Sequence, residues 1–401
     1  MRTAIFPRDR PTQRGFKSWD GANDCPKRVD TGPMPTDPTP PVLPPHSGPT
    51  TVCPHCGGLL RFEPRSGRLR CTQCAGEQPR SRPSTQARAA AAAEAPLPGD
   101  WATRTEGETW TPALVSCHQC GAQTELPAHQ VQAPCPFCAT PLRLGDAERR
   151  RLIRPSGQLP FALDAPAARE RFRAWLRGLW FAPNALRRLV RDTEALQGVY
   201  LPAWTFDARA VVRYQGERGD RREARAGDPA HSVQQGHVMD WRAVGGHFEL
   251  RLDDELIPAS HSLPALGEGA LQGVNLSALE PCSEALSAGF IVEAYQVDLP
   301  DAWARVQQVW APRVEAEVRR DIGGDEQRIT AVDCEYREPH YRHVLLPAWL
   351  ASYRWNGRSW PVVVNGQTGR VEGARPWSIW KLGFAALALL GLLLLGWAEG
   401  V

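Results

Sequence analysis

Lysine is nearly missing from this chain of 401 residues: of 47 basic residues only Lys17, Lys27 and Lys381 are lysines, and the rest are arginines. None of the three follows a glycine, which rules out a conventional phosphate-binding loop with its Gly-Lys-Ser/Thr ending. His-Glu-x-x-His and Gly-x-Ser-x-Gly are also absent, so neither a zincin nor an α/β-hydrolase nucleophile is present. Net charge is only +3, which selects no class of partner. The opening stretch "MRTAIFPRDRPTQRG" has no apolar run able to serve as a secretory signal, and a reducing compartment is expected for the cysteines.

Cysteine, by contrast, is abundant and ordered. Eight of the eleven cysteines form Cys-x-x-Cys pairs, while Cys25, Cys282 and Cys334 are scattered and read as idle or buried thiols. Cys53, Cys56, Cys71 and Cys74 make one set, with fourteen residues between the inner cysteines, and Cys117, Cys120, Cys135 and Cys138 repeat that spacing 64 residues later. Two short knuckles brought together place four thiolates at tetrahedral corners, the arrangement that holds a structural zinc. A thioredoxin-like couple would need one pair at a helix start, and disulfides would need an oxidising compartment. Two Zn2+ ions are therefore expected in two zinc ribbons. With four cysteines at each site, no coordination position stays open for catalysis. Segments this short bury little core alone, so metal is expected to supply their folding energy, on the order of 10–16 kcal/mol per site.

Composition divides the rest. Residues 1–50 are polar and proline-rich and are expected to be disordered. Ribbon 1 occupies 51–78, a linker 79–110 and ribbon 2 111–145, so that the ribbons read as mobile beads on a string. An α+β domain with an antiparallel sheet is expected over 146–375. Asp164 can cap a helix in which Phe172, Trp175, Leu176, Leu179 and Trp180 fall at helical spacing, and a second helix is expected in "NALRRLVRD". "LPAW" occurs at 201–204 and again at 346–349, each followed by a strand-like run, and Asn356-Gly357 and Asn365-Gly366 signal hairpin turns. The repeated tryptophans read as core. Cys334, His340 and His343 can be imagined as a metal or nucleophile site, but spacing gives this little weight.

Charge is unevenly divided. Residues 149–225 hold seventeen arginines against eight carboxylates, and 240–302 hold eleven carboxylates against two arginines. Either the two segments neutralise one another, or a basic surface faces phosphate. Finally, Leu382–Ala398 is a run of seventeen uncharged residues, eight of them leucine, bracketed by Trp377, Trp380 and Trp397. It is expected to form a single transmembrane helix over 377–398, contacting the bilayer through 382–398. Arg370, Arg375 and Lys381 before it place the bulk of the chain in the cytoplasm at a bacterial inner membrane.

The paired ribbons, with "LWFAPNALRRL", "LQGVYLPAWTFDA", "AGFIVEAYQVDLP", "RRDIGGDEQRI" and "LLPAWLASYRWNGRSWPVVVNGQTGRVEG", resemble a widespread family of bacterial zinc-ribbon membrane proteins. Many of its members carry names likening them to the primosomal replication helicase, replication factor Y. The resemblance implies zinc at the eight paired cysteines and membrane attachment. A helicase would need the nucleotide-binding loop that this chain lacks. The expected function is a membrane-anchored, non-enzymatic adaptor whose ribbons meet a protein partner. The alternative is a nucleic-acid-binding accessory protein of replication or transcription, with affinity falling steeply with salt.

Overall fold

The computed structural model describes residues 52–98, 109–125, 132–181, 196–225, 237–261 and 268–373, apart from 139, 144, 146, 356 and 357, and a few positions between 378 and 391. The proline-rich tail, the helix expected in "NALRRLVRD" and the Asn356-Gly357 turn lie outside the described residues.

Ribbon 1 is a small antiparallel sheet of β1 (Leu60–Glu63), β2 (Arg68–Cys71) and β3 (Glu77–Gln78). Next come α1 (Thr85–Ala92) and β4 (Ala95–Pro96), in the stretch expected to be linker. Ser84 caps α1 by accepting from Ala87 N at 3.1 Å. Strand β4 pairs with a strand of the central sheet, His340 opposite Pro96 and Tyr341 opposite Ala95.

Ribbon 2 follows β5 (Thr109–Trp110) and consists of β6 (Ala113–Ser116), β7 (Gln123–Glu125), β8 (Gln132–Pro134), β9 (Pro141–Arg143) and β10 (Ala147–Arg149). Short strands β11 (Leu152–Ile153) and β12 (Gly157–Gln158) lead to α2 (Ala165–Gly178). Asp164 caps α2 as expected, its Oδ1 accepting from Ala167 N at 2.9 Å, and Ala168, Phe172 and Leu176 form the buried stripe. Trp180 falls beyond the helix and is exposed.

The body is built on three long strands, β13 (Gln197–Glu223), β14 (His237–Pro258) and β16 (Glu326–Trp355), in the order β14-β13-β16. Between them in sequence lie α3 (Glu284–Ser287), β15 (Ile291–Glu293) and the 24-residue α4 (Leu299–Ile322), and the hairpin β17 (Arg358–Asn365) and β18 (Val371–Gly373) closes the sheet. Most pairings are antiparallel, while β15 and β12 join parallel to β13 and β16. The domain is largely β.

The two LPAW copies pair with each other. Leu201 lies opposite Leu346, with Pro202 opposite Leu345 and Tyr200 opposite Pro347, so the repeat runs antiparallel to itself about that leucine pair. Alternation along the strands then sends side chains to two faces. Val199, Leu201, Ala203, Val344, Leu346 and Ala348 join one core with ribbon 2, including Val115, Cys117, Cys135 and Phe137. On the other face Tyr200, Leu345 and Trp349 join Phe161, Phe172, Phe290 and ribbon 1, including Leu60, Phe62 and Leu69. Further along that face, Trp204, Phe206, Ala208, Ala210 and Val212 pack beneath α4, whose Leu299, Ala302, Val306, Trp310, Val314, Val318 and Ile322 form one buried stripe. The ribbons are not beads on a string. Ribbon 1 packs on one face of the sheet, and ribbon 2 joins the sheet through β7 and shares the core on the other face, because apolar positions on short hairpins are buried only against a larger surface.

The Asn365-Gly366 signal does mark a turn, of a longer kind: Asn365 Oδ1 accepts from Gln367 N at 2.8 Å and Thr368 N at 2.9 Å in the loop between β17 and β18.

The expected single-pass inner-membrane placement is corrected. No helix among the described residues is long and apolar enough to cross a membrane. A span needs about 20 consecutive apolar helical residues. The helical positions described there, Trp380, Lys381, Gly383, Phe384, Leu387, Ala388 and Gly391, do not supply them, and the rest of the predicted transmembrane helix and bilayer contact at 382–398 lies outside the described residues.

Candidate metal centres

Each knuckle is a tight loop at the end of a strand. In ribbon 1, Gly57 N donates to Cys53 O at 2.8 Å and Cys53 N donates to Gly58 O at 2.7 Å, closing the loop around Cys53 and Cys56. Ribbon 2 repeats this with Gly121 N to Cys117 O at 2.8 Å and Cys117 N to Ala122 O at 2.9 Å. The turn requires positive φ after the second cysteine, and Gly57 (72°) and Gly121 (73°) provide it without a Cβ clash. Ala75 occupies the same place after Cys74 with φ 56°.

The loops bring Cys53, Cys56, Cys71 and Cys74 together in one group, and Cys117, Cys120, Cys135 and Cys138 in another, with all sulfurs of a group within 4.8 Å of one another. Cys53 Sγ lies 3.7 Å from Cys74 Sγ and Cys56 Sγ 3.4 Å from Cys71 Sγ. In ribbon 2, Cys117 lies 3.4 Å from Cys138 and Cys120 3.6 Å from Cys135. All eight are free thiols. Four sulfurs around a metal at about 2.3 Å sit about 3.8 Å apart at tetrahedral corners, so both groups fit a metal ion with small adjustments.

The surrounding backbone prepares the thiolate state. The Cys74 N–H aimed at Cys71 draws that thiol down to about 6, helped by Gln73 N at 3.4 Å. At Cys117 burial acts upward, but the N–H groups of Cys120 and Gln119 outweigh it and bring the thiol to about 7. Burial pushes Cys120 up to about 12 and raises Cys135 further. Each set thus holds one thiol drawn toward the thiolate form that a metal takes, and metal binding would displace the protons of Cys74, Cys120 and Cys135, which are held above the ordinary thiol value.

The imagined Cys334, His340 and His343 site does not assemble. Strand β16 places Cys334 opposite Val212, His340 opposite Asp207 and His343 opposite Trp204. His343 is a core residue, 4.7 Å from the Trp204 ring and bonded through Nδ1 to Ile153 O at 3.0 Å, and burial lowers its pKa to about 4.

A different charged cluster escaped the sequence reading. Arg342 is buried beneath α1, with Nε donating to Thr205 Oγ1 at 3.0 Å and Nη1 to Ala92 O at 2.9 Å. Its Nη2 meets Asp254 and lies 3.3 Å from Glu94 Oε1, and Asp207 joins those two carboxylates, the three lying within 4.8 Å of one another. These residues are more than 80 positions apart from one another or belong to different strands, and no local motif marks them.

No protein-family model matches the chain, and no solved structure matches it. Among curated proteins, YdjG of Bacillus subtilis strain 168, an uncharacterized protein by its name, is 24% identical over 264 residues, which span 62% of this chain and 73% of that protein. The resemblance to primosomal-helicase-like zinc-ribbon proteins therefore rests on the paired cysteines and on sequence blocks such as "LQGVYLPAWTFDA" alone.

Proposed function

We propose that this chain is a non-enzymatic, zinc-binding adaptor. The observation that carries the reading is the closed character of both sites: four cysteines converge at each, and a metal held there has no vacant corner for water or substrate. Four-thiolate tetrahedral sets suit Zn2+ among the common divalent ions. Zinc bound at these sites would supply no reaction step; it would hold the hairpins in shape and fix the surface each ribbon offers to a protein partner.

The arginines of 149–225 favour a protein partner over nucleic acid, because carboxylates already answer many of them. Arg150 meets Asp298 at 3.1 Å, Arg177 meets Glu170 at 3.1 Å, Arg218 meets Asp220 at 2.8 Å and Arg222 meets Asp240 at 2.8 Å. Phosphates would have to displace these partners.

The test is elemental analysis of reductively purified protein followed by affinity capture with and without chelator. Two zinc ions per chain and a stoichiometric partner lost on chelation are expected. Metal-free protein, or robust hydrolase turnover, overturns the reading.

A further inference from the structure

The two metal sites are joined to the molecule in different ways. Site 2 is woven into the main sheet. Strand β7 pairs with β15, Glu125 opposite Val292 and Thr124 opposite Glu293, and Ala294 N donates to Gln123 O at 2.9 Å. Gln296 Nε2 reaches into the first knuckle to bond Gly121 O at 3.1 Å. Ribbon 2 cannot leave without breaking sheet hydrogen bonds.

Ribbon 1 has its own three-stranded sheet, and among the described residues none of its strands pairs with the large one. Polar contacts that seat it include Phe62 N to Ala288 O at 3.0 Å, Arg61 Nη2 to Gly289 O at 3.1 Å, and Arg65 Nε to Asp164 Oδ2 at 2.5 Å. Asp164 is the cap of α2, so the hairpin tip clips onto that helix's N-terminus. Beneath the hairpin lies an aromatic cluster, with Phe161 stacked on Phe290 at 4.1 Å and edge-on to Tyr200 and Trp349 at 5.1 Å each. Where the chain leaves the ribbon, Arg80 and Arg88 both grip Glu280, at 2.6 and 3.1 Å, and anchor the tether.

A sheet of two four-residue strands and one two-residue strand is too small to hold its shape alone. The metal joins the knuckle before β1 to the knuckle after β2 and takes the place of the missing core. The geometry points to ribbon 1 as a metal-dependent cover: with zinc bound it seals the aromatic cluster and clips α2, and without zinc it lifts away about the Arg80 anchor while ribbon 2 and the sheet stay in place. This rests on the proposed zinc binding and deepens it, because it makes the state of site 1 a signal and leaves site 2 a fixed part of the fold.

The experiment compares full-length wild type, C56S/C74S and C120S/C138S by zinc content and hydrogen–deuterium exchange. Wild type is expected to hold two zinc ions. C56S/C74S removes two exposed ligands and is expected to lose one ion, with exchange at 59–71 and 286–290 about tenfold faster or more and 199–206 and 344–350 unchanged. C120S/C138S is expected to accelerate exchange in the central strands as well. Unchanged exchange at 286–290 after loss of one ion overturns the cover, as does acceleration of the central strands in C56S/C74S. Metal-free wild type sinks the zinc reading and the cover with it, whereas a wild type holding two ions with unchanged exchange at 286–290 in C56S/C74S sinks the cover alone. Should C56S/C74S fail to fold, F62D keeps the ligands and breaks the seating: two retained ions with fast exchange at 286–290 are expected, and slow exchange there overturns the cover.

Discussion

Ala75 shows what a single side chain can cost a knuckle. It stands in the left-handed region at φ 56°, where the equivalent positions hold Gly57 and Gly121. An alanine there is strained by roughly 1–2 kcal/mol, while a glycine loses about 0.4–1 kcal/mol more to unfolded-chain entropy. Ala75→Gly is therefore expected to stabilise ribbon 1 by about 0.5–1 kcal/mol, read as a higher chelator concentration for metal release. At the Arg342 cluster, burial is the main cause that raises Glu94, to about 7 from 4.5, followed by its hydrogen bond and charge interaction with Asp207. Arg342 opposes the shift and Asp254 adds to it. The folded chain thus prefers the neutral carboxyl. Its contribution to docking of the α1–β4 segment is complete below pH 4.5 and is lost as pH rises through about 7. Thermal melts across that window are expected to show stability falling with pH in wild type and a flatter profile in Glu94→Gln. An equal slope in both would refute the assignment.

Helix α4 is the element that most shapes the extended sheet. Trp310 is fully buried, edge-on to Trp303 at 5.8 Å and 5.3 Å from the Tyr336 ring. Trp310→Ala is expected to cost about 3–5 kcal/mol, seen as a lower urea midpoint, since neighbouring rings cannot refill the space. The opposite face of the same strands carries exposed ion pairs, such as Arg209 with Glu249 at 3.8 Å and Arg213 with Asp333 at 3.7 Å. Each contributes about 0–1 kcal/mol, so Arg213→Ala is expected to shift that midpoint little. The helix itself was readable: Asp298 precedes it, Pro300 opens it, apolar residues recur at three and four, and Gly323 with φ 65° ends it. Pro312 in its interior runs against those signals, because an internal proline ordinarily breaks a helix. Here it lies on the exposed side, and the buried stripe on the opposite side holds the helix across the missing hydrogen bond.

For the whole molecule, the packing of two ribbons into cores on opposite faces of one sheet sets the response to metal loss. Chelation of both sites is expected to open the two cores one after the other, ribbon 1 first, and to appear as two phases in thermal or exchange measurements. A single cooperative phase would mean that the two cores act as one unit. What residue order alone determined was local: the two sets of four paired cysteines, the knuckle glycines, the Asp164 cap and the repeated LPAW strands. Each depends on contacts within a few residues or on a periodicity of two or nearly four. Tertiary structure decided that the LPAW copies pair with each other, that the ribbons pack into cores on opposite faces and that Glu94, Asp207 and Asp254 converge where Arg342 is buried. Those outcomes join residues far apart in the chain, brought together only when β13 and β16 find their register and bury both faces.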